Sequence, residues 1–186
     1  MNTSTSWVVV VALGVCAGSA AADNKADAPP RVKYQVTGLF APEREQDLRE
    51  AFTKIPQIKL VDIDFKNAEI TLEYDAAKVF PNTKPEEVLP KLDALLKTAS
   101  THTFGVKPLR TTPLDKLKVV EIPIGILDCK ACGLAAYECV AKLDGVEWTV
   151  VNYREGRVTA LIDPDKTDRG KLEDALRKLG AQVKAP

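Results

Sequence analysis

The side chains best suited to chemistry in this sequence are two thiols three residues apart, in Cys129-Lys130-Ala131-Cys132. At that spacing two sulfurs can close on one soft metal ion, or on each other as a disulfide. The apolar run Leu117–Ile126 precedes them and the amphipathic segment Cys132–Leu143 follows, so the pair falls at a strand-to-helix turn. The N-terminal end of a helix has unpaired N–H groups and the positive end of the dipole, and both favour the thiolate forms. Lys130 adds a cation between the sulfurs. A thioredoxin-type exchange site fits less well, because no Trp precedes the first Cys and no Gly-Pro separates the two. A structural zinc ribbon needs a second Cys pair, which the sequence lacks.

The other candidate ligands read more plainly. Cys139 lies on the buried face of the following helix, where a free Cys behaves as a small apolar residue. His102, the only histidine, has no cysteine near it in sequence and reads as a surface residue. Trp148 and Tyr153 read as strand packing, and the charges in 43–50 as a solvated helix face. The chain has 26 basic and 26 acidic residues, so no net field steers it to nucleic acid or to an anionic membrane.

The elements that position the thiols occur twice, at an offset of 88 residues. Leu48, Ala51, Phe52 and Ile55 stand opposite Ala136, Cys139, Val140 and Leu143, each set spaced as one apolar helix face. Ile58 and Leu60 match Val146 and Trp148. Ile70, Leu72 and Tyr74 match Val158, Ala160 and Ile162 with the period of a half-buried strand, and Asp75 matches Asp163. A second helix and a short last strand complete each copy. In the second copy Asp168 caps a helix carrying Leu172, Ala175, Leu176 and Leu179, which Gly180 ends before a strand over 181–183. In the first copy the helix lies near 85–99, with Pro90 expected to kink or restart it, and the last strand near 103–109.

The order β-α-β-β-α-β predicts an α+β chain of two tandem ferredoxin-like domains, each a four-stranded antiparallel sheet with two helices on one face. The expected domains are 31–109 and 117–186, joined by a linker over 110–116 that contains Pro113. Residues 1–22 read as a signal peptide: Trp7–Cys16 is an apolar core, and Ala20-x-Ala22 is a cleavage site. Residues 23–30 form a polar tether expected to be disordered. The chain is therefore expected to be exported, periplasmic or secreted. Two other readings of the leader remain. Leu13-Gly14-Val15-Cys16 resembles a lipobox that would lipidate Cys16, and an uncleaved leader would form a short anchor; either would tie the chain to a membrane.

The second copy resembles the heavy-metal-associated domains of metallochaperones, periplasmic mercury-binding proteins and metal-exporting P-type ATPases. The resemblance is carried by the Cys pair, by Leu143-Asp144-Gly145-Val146, and by Asn152, Gly156, Val158, Asp163-Pro164 and Leu179-Gly180. It implies a non-enzymatic protein that binds one soft or borderline metal ion, zinc, copper(I) or similar, through Cys129 and Cys132. A metal-transporting ATPase or another metal-accepting protein would be the partner. Ile126 and Leu127 stand where the family pattern has Gly and Met, and Ala181 where an aromatic is common. The acidic Asp128 before the first Cys resembles zinc, cadmium and lead exporters. A carboxylate suits Zn²⁺ as a third ligand, whereas two thiolates suffice for linear Cu(I) or Hg(II). The first copy carries Phe40-Ala41-Pro42-Glu43-Arg44 in place of the thiols, with Pro42 placed to begin its helix, and reads as a degenerate spacer or docking unit. A thiol–disulfide redox protein and a pure interaction scaffold are the rival readings.

Overall fold

The computed structural model describes residues 29–127 and 129–184. The expected leader, all of the tether before Pro29, and Asp128 lie outside the described residues. The chain is α+β, with two antiparallel sheets. In the first copy the order is β1 (Arg31–Thr37), α1 (Arg44–Thr53), β2 (Lys59–Asp64), β3 (Glu69–Glu73), α2 (Ala76–Val79), α3 (Pro85–Ala99) and β4 (Gly105–Lys107). Its strands lie in the order β2-β3-β1-β4, all antiparallel, so β1 and β2 are split by β3. The second copy runs β5 (Lys118–Pro123), α4 (Lys130–Ala141), β6 (Val146–Asn152), β7 (Arg157–Ile162) and α5 (Arg169–Lys178), with strand order β5-β7-β6.

The repeat shows in the burial. Leu48, Ala51 and Phe52 of α1 are buried, as are Ala136 and Val140 of α4. Ile70 and Leu72 of β3 point inward, as do Val158, Ala160 and Ile162 of β7, because alternate strand residues share a face. Asp168 caps α5 by accepting the Lys171 N–H at 3.1 Å. Gly180, at φ +92°, ends that helix, and the Ala181 N–H returns to the Leu176 carbonyl at 3.0 Å.

Three elements depart from expectation. Helix α3 is continuous through Pro90. Pro90 forfeits one backbone donor near the N-terminal end, while Leu92 and Leu96 anchor the rest of the helix in the core. Asp75 does more than match its repeat partner: it accepts the Ala77 and Lys78 N–H groups and starts α2. The second sheet has three strands instead of four. Its last strand shrinks to a single bridge, Ile124 with Val183, flanked by Gly125 N–H to the Gln182 carbonyl at 2.7 Å and Lys184 N–H to the Pro123 carbonyl at 2.9 Å. Pro123 itself has no N–H to donate there.

The two copies are docked on each other. Phe40 and Ala41, from the turn between β1 and α1, are buried in the core of the second copy, while Trp148 of β6 packs against the core of the first. The Val151 N–H donates to the Phe40 carbonyl at 2.8 Å, so this turn covers part of the exposed edge of β6. Gln35 faces away from its neighbour Val36 and is nonetheless buried, because its Nε2 donates to the Glu147 carbonyl at 2.9 Å. The expected linker is itself anchored: Arg110 donates to the Asn67 carbonyl at 3.0 Å, and Leu114–Lys116 forms a 3-10 turn.

Candidate metal centre

Cys129 is extended, at φ −148° and ψ 156°, and is the residue at which β5's segment turns into α4. It caps the helix with its own sulfur: the Cys132 N–H donates to Cys129 Sγ at 3.1 Å. The Cys129 carbonyl accepts the Gly133 N–H, also at 3.1 Å. Such a donor stabilises negative charge on sulfur, as does the helix terminus behind it. Cys129 is exposed and Cys132 half-buried, so the pair opens to solvent.

The structure closes the two sulfurs as a disulfide, with Cα atoms 5.3 Å apart. Sulfur–metal bonds of about 2.3 Å place two sulfurs on one ion about 3.8 Å apart in a tetrahedral site and about 4.6 Å apart in a linear one. Side-chain rotation on the same backbone reaches these separations once the pair is reduced. Both flanks of the turn are held. The Leu127 N–H donates to the Tyr153 carbonyl at 3.0 Å and its side chain packs on the core. Ile126 is 67% exposed beside it.

Of the expected ligands, Cys129 and Cys132 come together, and Asp128 lies outside the described residues. Among the described residues no group of three or more His, Cys, Asp or Glu side chains is gathered for a metal. Cys139 is half-buried against the core, its S–H donating to the Ala136 carbonyl at 3.2 Å, and burial pushes its thiol up, which keeps it protonated. His102 is exposed, in the α3–β4 connection.

Arg44 corrects the expectation of a solvated face. Its side chain is 14% exposed and pairs with Asp47, and its guanidinium stacks 5.4 Å from the Phe40 ring centre and 5.3 Å from that of Phe104. Pro42 likewise lies in the turn before α1, which begins at Arg44. Sequence reasoning missed Tyr137, whose hydroxyl receives the Gly38 N–H at 2.8 Å. Burial raises the Tyr137 phenol, so the hydroxyl stays protonated. It also missed the contact of Tyr153 Oη with Glu43 at 3.3 Å. The usable signal was an aromatic, Phe40, at the repeat position of Asp128, where a solvated loop would not need one.

The chain is 27% identical over 122 residues to a copper-exporting P-type ATPase of Staphylococcus aureus (strain Newman). That match covers 66% of this chain and 14% of the ATPase. This chain resembles heavy-metal-associated domains. It is an α+β chain of antiparallel sheets and helices with the thiols where β5 gives way to α4. No protein-family model matches it. Among solved structures, the N-terminal domain of a potential copper-translocating P-type ATPase from Bacillus subtilis is 28% identical, covering 37% of this chain and 85% of that one at a TM-score of 0.35. Oxidised MerP from Ralstonia metallidurans CH34 is 22% identical, covering 37% and 94% at the same TM-score of 0.35.

Proposed function

We propose that the chain is an exported, non-enzymatic metal-binding protein that takes one soft or borderline ion through Cys129 and Cys132. In this reading it comprises two tandem ferredoxin-like domains, 31–109 and 117–186, and only the second holds metal. The observation that carries it is the Cys pair at an exposed helix terminus, Cα atoms 5.3 Å apart, with a backbone N–H already donating to one sulfur. The similarity to a copper-exporting ATPase supports Cu(I) as one cargo. Asp128, as a third ligand donating oxygen, would widen the range to Zn²⁺. A site with so few ligands leaves room for an incoming thiolate, so the ion passes on by ligand exchange. The partner in this reading is a metal-transporting ATPase or another metal-accepting protein. The test is metal titration of the reduced chain. One equivalent should bind, and Cys129→Ser with Cys132→Ser should abolish binding. Retained affinity in that double variant would sink the proposal.

A second reading is favoured by the closed sulfur pair. If the disulfide is the working form, the chain is a thiol–disulfide protein. It would then exchange with a mixed-disulfide substrate, and the reduced chain would hold no metal.

A further inference from the structure

We propose that the first copy of the repeat is a built-in brace for the thiol turn, with Phe40 as its positioning residue. The inference rests on the reading of Cys129 and Cys132 as a metal pair, and adds a task for the copy that has lost its own thiols.

The first turn of α4 is poorly equipped to hold itself. Its cap is a Cys sulfur in place of an oxygen, no acidic residue stands in that turn, and its fourth residue is Gly133. A glycine inside a helix favours the unwound chain. Gly133 is nevertheless buried, and its surroundings explain it. A Cβ there would fall 3.2 Å from Tyr153 Cδ1 and 3.3 Å from Phe40 Cε2, tighter than ordinary contact. The turn has given up helix propensity to let these two rings close on the backbone next to Cys132.

Three further contacts hold the same side. The Phe40 ring lies 6.0 Å from that of Tyr137, one helical turn beyond Gly133. The Gly38 N–H is bonded to the Tyr137 hydroxyl, and Tyr153 Oη reaches Glu43. Phe40 is 1% exposed, and Arg44 stacks on it from within the first copy. The ring is thus fixed on both sides, and with it the helix start that aims the Cys132 N–H at Cys129 Sγ. By the repeat, the segment from 40 to 44 occupies the place of the thiol turn.

The test uses the full chain and two readouts. The first needs no metal: the equilibrium between the protein dithiol with oxidised dithiothreitol and the protein disulfide with reduced dithiothreitol. A braced pair closes more readily. The second is Cu(I) affinity of the reduced chain against a chromophoric chelator. Phe40→Ala should weaken both by about fivefold, the population equivalent of a glycine's helix penalty no longer offset. Phe40→Leu, which keeps most of the apolar volume, should restore most of each. Gly133→Ala should weaken both in the natural background and do so less in Phe40→Ala, where one of the two facing rings is gone and that of Tyr153 stays. Unchanged equilibria in a folded Phe40→Ala or Gly133→Ala chain, or additive effects of the two substitutions, would overturn the brace. A chain that binds no Cu(I) yet shows the predicted dithiothreitol shifts would refute the metal reading and leave the brace standing.

Discussion

Gly38 separates two costs of an alanine that are usually confounded. It adopts φ +86°, a left-handed conformation that costs an L-residue roughly 1–2 kcal/mol. A Cβ there would lie 2.0 Å from the Thr103 carbonyl oxygen and 3.0 Å from its carbon, both backbone atoms that cannot rotate away. The segment must therefore shift, which breaks the 2.8 Å bond from the Gly38 N–H to the Tyr137 hydroxyl. A buried donor left unpaired costs about 1–3 kcal/mol. Gly38→Ala should thus destabilise by about 2–5 kcal/mol, a fall in Tm of about 10 °C for a chain of this size. Gly180 is the control. It has φ +92° and nothing within 4 Å of its Cβ position, so Gly180→Ala meets only the conformational cost, about 1–2 kcal/mol. Tyr137→Phe completes the set by removing the hydroxyl without touching the backbone. Thermal unfolding of the three reduced variants, followed by far-ultraviolet circular dichroism, gives the comparison. If Gly38→Ala unfolds no earlier than Gly180→Ala, the close approach of Gly38 to Thr103 within the first copy and its bond to Tyr137 of the second are wrong.

Two smaller predictions follow from the second copy. The carboxyl of Glu173 is held below its ordinary value of 4.5, first by the hydrogen bond from Arg169 and then by that from Arg177. Its contribution is therefore present above pH 4.5 and is lost as pH falls through the lowered folded value. Glu173→Gln should be less stable than the natural chain near neutrality and converge with it in acid, as read by denaturant midpoints across pH. Asp168→Ala removes the acceptor of the Lys171 N–H and should cost about 1 kcal/mol, measured by urea unfolding.

Much of the fold was legible because its signals are local. The stripe of Leu172 and Leu176, the cap at Asp168 and the stop at Gly180 all lie within one helix. The alternation of Val158, Ala160 and Ile162 lies within one strand. The placement of Cys129 at a helix start needed only the apolar run before it and the amphipathic segment after it. Pro90 and the shortened last strand were less legible. Their outcome depends on how firmly Leu92 and Leu96 are buried and on whether Gln182 and Val183 find partners, and neither is a property of the segment alone.

From sequence alone came the α+β class with its antiparallel strands, the pairing of two thiols at one turn, and the absence of thiols from the first copy. Periodicity, caps and spacing act over a few residues, and they are written in the chain. Only the tertiary structure decided that Phe40 lies in the core of the other copy, that Arg44 is stacked rather than solvated, and that Gly133 is small because two rings close on it. Those outcomes are set by surfaces that meet across long stretches of chain. Their energy comes from shape and burial at the meeting, which no local pattern encodes.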